Sequence, residues 1–284
     1  MIQLGIIVLG PKTQDINKLC CFTAIYQYHY IKLFEQCKGI ECQYYSCLED
    51  VDFEKVTHLF AAGRYFTHHD LKEVKKKLKG KLFQAYEIGI KFPMVDVTCG
   101  LRGTENYIGW AADSEVFKPK QDPSKTVVLI DHPSFRDGKD YTDEITKQLI
   151  KNYGKDVQLL RLVNNKVEEI TVEAKKVNND YNRKTLTYLE FAKLLCKCDY
   201  FVVTHSESLG QCVLEAAMCG CLPLEISGCI PDWQGLVHHS FNTVEKLVLP
   251  VADKQKIRES AIEFTWDNSF DNLAALIRGN NGKG

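Results

Sequence analysis

Two carboxylates bracket a glycine in the stretch with the clearest chemical content: Glu207 lies three residues before Gly210, and Glu215 five residues after it. The run ahead of them, Tyr200-Phe201-Val202-Val203, is apolar and reads as a strand, and Gly210 opens an amphipathic helix. A helix start exposes backbone N–H groups and the positive end of the dipole, which together suit a phosphate or diphosphate. Gly210, Gln211 and Cys212 supply those amides, and a glycine lets the backbone approach an anion closely. If the span from Glu207 to Glu215 were all helical, the two acids would stand about 12 Å apart along the axis. A diphosphate carrying hydroxyl-bearing groups on both sides would then meet a hydroxyl acceptor at each end.

Other candidates follow the expected strand ends, where open α/β sheets place ligands. Gly10-Pro11-Lys12 comes after the first strand, and Lys12 is a candidate anion contact. His68, His69 and Asp70 cluster after the third strand, and Glu87 follows the fourth, so these four are candidates for a second substrate.

The Glu207-x7-Glu215 pattern, with Gly210 inside it and Ala216-Ala217-Met218-Cys219-Gly220-Cys221-Leu222-Pro223 after it, resembles the donor-site signature of retaining GT-B glycosyltransferases of the family 4 type. Two further segments are similar to that family: Tyr107 to Pro119, like its interdomain segment, and Ala261 to Trp266, like its closing helix. The resemblance implies that Glu207 contacts the donor sugar, Glu215 the ribose, and the amides of Gly210, Gln211 and Cys212 the diphosphate. It implies nucleobase contacts at Leu186 and Thr187. Family members carry an Arg and a Lys after the first strand of the second domain; here Arg136 and Lys139 supply the charge at a shorter spacing. Thr204-His205 also resembles inverting plant-type GT-B enzymes, and Cys219 to Pro223 the exostosin-like inverting enzymes, so the stereochemical outcome stays open. Under the inverting alternative, His205 joins Glu207 in the catalytic set and a base comes from His68, His69, Asp70 or Glu87. The overall style of the sequence resembles compact glycosyltransferases of large algal DNA viruses, which favours a UDP-linked donor, with a pentose such as xylose among the options.

These residues need a scaffold that delivers strand ends to one edge. The pattern predicts a strand over 1–10, a helix over 15–37, strands near 40–45, 57–61, 81–86 and 94–98, and a lysine-rich helix over 72–79. After a polar, proline-bearing linker at 119–125 come a strand at 127–131, a helix at 140–153 and a strand at 157–163. A polar stretch from 164 to 184 has no predicted form; a helix at 187–196 then leads into the Tyr200 strand. Such β/α alternation argues for parallel, doubly wound sheets. The expected class is α/β, GT-B, with two Rossmann-like domains facing across a cleft: an acceptor domain over 1–118, a donor domain over 126–265, and a helix from 266 returning towards the first domain.

Composition agrees. At 284 residues the chain suits two domains, and its 45% apolar and 26% charged content is that of a globular protein. A formal net charge of -1 without a basic tract disfavours a protein that tracks a nucleic-acid backbone. Twelve cysteines lie mostly in apolar runs, and their spacing is not that of a common zinc site, so they read as small buried hydrophobes in a reducing compartment. The apolar start lacks a basic leader and no run reaches the roughly 18 apolar residues of a membrane span, so a cytoplasmic location is expected. No Gly-x-Gly-x-x-Gly follows the first strand, which argues against a nicotinamide enzyme. The expectation is a glycosyltransferase that moves one sugar from a nucleotide diphosphate sugar to a hydroxyl acceptor such as a glycan. It would need no metal or cofactor beyond that co-substrate. A catalytically idle sugar-binding module is the alternative from another class.

Overall fold

The computed structural model describes residues 1–7, 15, 22–62, 68–86, 93–100, 106–107, 111–119, 126–131, 141–163, 166–170, 176–177, 186–204, 210–226 and 235–279. Two compact units emerge, one of Met1–Ala111 with Phe264–Gly284, the other of Ala112–Glu263. Both are α/β and built on a largely parallel sheet.

The first unit carries β1 (Ile2–Ile7), β2 (Ile40–Tyr45), β3 (His58–Ala62), β4 (Leu82–Tyr86), β5 (Val97–Gly100) and β6 (Asn106–Tyr107), in the spatial order β2-β1-β3-β4-β5-β6. Every pairing is parallel. Its helices are α1 (Phe22–Gln36), α2 (His68–Lys77) and the late α7 (Trp266–Ile277). Helix α2 turns Leu71 and Val74 onto a buried cluster with Ile7, Leu59 and Leu82, leaving its lysine face outward. Helix α7 completes the packing against α1. Trp266 stacks on His29 at 4.7 Å, Phe270 meets Phe34 edge-on at 4.9 Å, and the hydroxyls of Tyr30 and Ser269 hydrogen-bond at 2.6 Å. Burial between these rings pushes the His29 imidazole down to about 3, with Lys32 adding to the effect, so it is neutral in the fold.

The second unit orders its strands β10-β9-β8-β7-β11-β12-β13. They are β7 (Thr126–Ile130), β8 (Val157–Val163), β9 (Lys166–Ile170), β10 (Lys176–Val177), β11 (Tyr200–Val203), β12 (Leu222–Ile226) and β13 (His239–Phe241). The helices are α3 (Thr142–Tyr153), α4 (Tyr188–Leu195), α5 (Gln211–Met218) and α6 (Lys254–Ala261). β11 and β12 are buried at every residue, as expected of central parallel strands covered on both faces. Asp199 anchors the start of β11: its Oδ2 accepts from the Val127 amide at 2.8 Å, and its Oδ1 pairs with Lys254 at 2.9 Å. Arg258 of α6 donates to the backbone carbonyls of Phe117, Met218 and Ser114, clamping the 112–119 segment and the C-terminal end of α5.

The stretch 164–184, for which no form is predicted, contains β9 and β10, antiparallel, extending the sheet from β8. Two expectations need correction. The strand near 94–98 begins later, at Val97, after Asp96 has bound Lys75 and the Leu82 amide. Ala261 to Trp266 is not one helix: α6 ends at Ala261, α7 begins at Trp266, and between them Thr265 caps α7 by accepting from the Asn268 amide at 3.3 Å. The expected linker residues 120–125 lie outside the described residues.

Candidate functional site

A doubly wound sheet offers its ligand crevice where neighbouring strands are continued in opposite directions, at their carboxyl ends. In the second unit that point lies between β7 and β11, because the chain adds β8 on one side of β7 and returns to place β11 on the other. Parallel pairing sets Tyr200 against Val128 and Val202 against Ile130, so both strands end together.

A short network holds those ends in place. The fully buried Thr204 follows β11, and its hydroxyl donates to the Asp131 carbonyl at 2.6 Å. The Asp131 amide donates to Val202 at 2.9 Å, and the Tyr141 amide donates to the Thr204 carbonyl at 2.9 Å. Thr142 Oγ1 donates to Thr204 Oγ1 at 3.1 Å. Asp131 and Thr142 were not singled out from sequence, and Thr204 was named only as the neighbour of His205. Their signal was position alone, the residues that directly follow the two strands and the first of α3.

Two helices start near this crevice, and their chemistry differs. Helix α3 has Asp143 and Glu144 in its first turn. Helix α5 has no acid there and no side-chain cap, which leaves the positive end of the helix suited to an anion. Gly210 is its N-cap, in the left-handed region at φ 72°, where a side chain would be strained. Gln211 and Cys212 contribute the first amides of the helix and are half-buried.

Glu215 sits one turn further along α5 and is buried. Burial pushes its carboxyl up to about 8, partly offset by a hydrogen bond that its Oε1 accepts from Gln211 Nε2 at 3.1 Å. It is the one carboxyl with a strongly raised pKa among the described residues of the site; functional sites are enriched in such groups, and buried structural carboxyls share the shift.

Leu186 and Thr187 are half-buried at the start of α4. Thr187 Oγ1 accepts from the Glu190 amide at 3.3 Å, and Glu190 Oε2 accepts from the Thr187 amide at 2.8 Å. This capping box uses the polar atoms of Thr187, so a flat ring meeting this residue would do so by packing. On the first unit, α2 begins at His68, with Asp70 half-buried in its first turn; the side chains of His68 and His69 are outside the described set. Lys12, Glu87, Arg136, Lys139, His205 and Glu207 all lie outside the described residues.

Among the described residues, no cluster of three or more His, Cys, Asp or Glu is arranged to hold a metal ion. No described helix is long and apolar enough to cross a membrane.

No protein-family profile matches the chain, and no curated protein is similar to it in sequence. Solved structures are similar to it in fold. Sucrose-phosphate synthase of Thermosynechococcus elongatus superposes with a TM-score of 0.63 at 10% identity, over 98% of this chain and 99% of that one. The lipopolysaccharide outer core galactosyltransferase WaaB, in its apo form, gives 0.57 at 10% identity over 98% and 99%. Anabaena HepE in complex with UDP and glucose gives 0.54 at 10% identity over 98% of this chain and all of that chain. With its two α/β units and parallel-stranded sheets, the chain has the GT-B fold of these glycosyltransferases.

Proposed function

We propose that this protein is a glycosyltransferase that takes one sugar from a nucleotide diphosphate sugar, with a UDP-linked donor favoured. The observation that carries this reading is the uncapped, acid-free N-terminus of α5 at the β7/β11 switch point, with the buried Glu215 one turn behind it. The comparison that supports the nucleotide is HepE, whose structure holds UDP and glucose.

In the proposed site the diphosphate lies against the amides of Gly210, Gln211 and Cys212, with Arg136, Lys139 and Lys12 adding positive charge. Glu215 accepts from the ribose hydroxyls, most strongly when ionised. Leu186 and Thr187 pack on the base, and Glu207 holds the sugar. As the bond to the sugar breaks, negative charge grows on the leaving diphosphate, and preorganised amides and cations stabilise it there. This scheme needs no metal. In a retaining reaction no protein nucleophile is involved; in an inverting one, His68, His69, Asp70 or Glu87 removes the proton from a glycan hydroxyl.

The test is NMR of the full chain with a panel of UDP-, GDP- and ADP-sugars, with Glu215→Ala and Glu207→Ala beside the wild type. Selective donor binding that Glu215→Ala weakens, with slow hydrolysis that Glu207→Ala impairs more than it impairs binding, is the expected result. Equal nucleotide binding in the Glu215 variant, or complete loss of hydrolysis on chelation with EDTA, contradicts the scheme.

A further inference from the structure

Four cysteines of the second unit converge where two helices end. Cys196 is the C-cap of α4 and Cys198 starts the approach to β11; Cys219 is the C-cap of α5 and Cys221 leads into β12. Because β11 and β12 pair in parallel with Tyr200 opposite Leu222, the two Cys-x-Cys segments are brought side by side. The closest approach is between Cys196 Sγ and Cys219 Sγ, at 3.4 Å. None of the eight cysteines whose side chains are described is in a disulfide.

The four are not chemically equivalent. Cys221 is fully buried, and Cys198 is buried with its thiol donating to the Leu194 carbonyl at 3.3 Å. Cys219 is also buried, and its contact with Cys196 together with burial holds it as a thiol. Cys196 alone of the four is half-exposed. It lines a groove of about 520 Å³ formed by α4 and the 115–119 segment, where Leu189 supplies an apolar wall. Lys193 and Lys197 flank Cys196 on the rim and are exposed, and Lys118, bound to Glu115 at 2.6 Å, stands on the other side. The two flanking lysines offset the negative end of α4 at the mouth of this groove. They also favour an anionic visitor.

We propose that Cys196 and Cys219 form a thiol–disulfide exchange site, with Cys196 the attacking sulfur, Cys219 the resolving one, and an anionic low-molecular-weight disulfide of the glutathione type as oxidant. In the first step the Cys196 thiolate attacks one sulfur of the oxidant; a mixed disulfide forms and one small thiolate leaves and is protonated. In the second, Cys219 gives up its proton and attacks the Cys196 sulfur, and the second small thiol departs. Two protein thiols are oxidised to one disulfide while one small disulfide is reduced to two thiols. The protein sulfurs must close from 3.4 Å to a bond length of about 2.0 Å. The closed loop contains β11, Gly210 and the whole of α5.

The experiment equilibrates the native full chain with reduced and oxidised glutathione at graded ratios, quenches with acid and an alkylating agent, and maps peptides by mass spectrometry. Wild type should lose two alkylatable thiols as a single Cys196–Cys219 cross-link. Cys219→Ser should stop at a glutathionyl adduct on Cys196, and Cys196→Ser should give neither product at these positions. The wild-type map needs no variant to fold. Cys196 remaining a thiol throughout, a lasting glutathionyl adduct on wild-type Cys196, or a cross-link from Cys196 to Cys198 or Cys221 would each overturn the proposal.

Discussion

Replacing Glu215 by glutamine should move stability and nucleotide binding in opposite directions. The buried carboxyl has its pKa raised from 4.5 to about 8, chiefly by burial, so the folded protein holds this proton more tightly than the unfolded chain does. The contribution to stability is therefore complete below about pH 4.5 and is lost as pH rises through about 8. At 1.36 kcal/mol per pH unit, roughly 3 kcal/mol is gone by about pH 7 and up to roughly 5 kcal/mol above about pH 9. Glutamine keeps the volume and can still bond Gln211 but never ionises. Urea unfolding of wild type and Glu215→Gln across this range gives the difference between them, in which every other titrating group cancels. The gap should be near zero at about pH 4.5 and widen in favour of the variant as pH rises. Affinity for UDP should fall about 10- to 100-fold in the same variant, the worth of a hydrogen bond to a charged group. A stability gap that does not change with pH would refute the argument from burial. Unchanged UDP affinity would refute the ribose-binding role.

Arg258→Ala removes a charged donor from three carbonyls and should destabilise the second unit by about 2–4 kcal/mol in urea unfolding; Arg258→Lys, lacking the fork, should recover little of it. Gly210→Ala places a side chain at φ 72° and should cost about 1–2 kcal/mol by the same assay, with nucleotide affinity falling as the amides of α5 shift. Tyr30→Phe loses the hydroxyl pair with Ser269 in the first unit and should lower stability by about 1 kcal/mol, with UDP affinity unchanged.

The central strands were legible because burial on both faces leaves a continuous apolar run. Val127 to Ile130 and Tyr200 to Val203 carry that run, and β7 and β11 follow it closely. Helix starts were legible where a cap residue stands three before an acid, as with Thr187 and Glu190. The edge of the second sheet was not. In β9, Lys166-Val167-Glu168-Glu169-Ile170, the buried Val167 and Ile170 lie three apart and so on opposite faces of the strand, which leaves no apolar alternation to read. The split at Ala261 to Trp266 was hidden because Ile262 and Phe264 continue an apolar pattern across a turn; Ile262 is in fact exposed. At the candidate site, type and spacing drew attention to Gly210 and Glu215, which the structure shows as the N-cap and a buried acid of α5. They did not draw attention to Thr204, whose importance lies in bridging Asp131 and Thr142, residues separated from it by 73 and 62 positions.

The first unit is discontinuous, and that carries a consequence for its birth on the ribosome. The second unit is one unbroken segment, Ala112–Glu263, and has every residue of its core in hand once that segment has emerged. The first unit does not. Tyr30 and Phe34 are among the earliest core residues made, yet the Trp266 and Phe270 rings that cover them are synthesised more than two hundred residues later. The usual amino-to-carboxyl order of domain maturation is thereby reversed. Until α7 is made, Tyr30 and Phe34 have Phe60 beside them but lack the Trp266 and Phe270 rings that complete their cover.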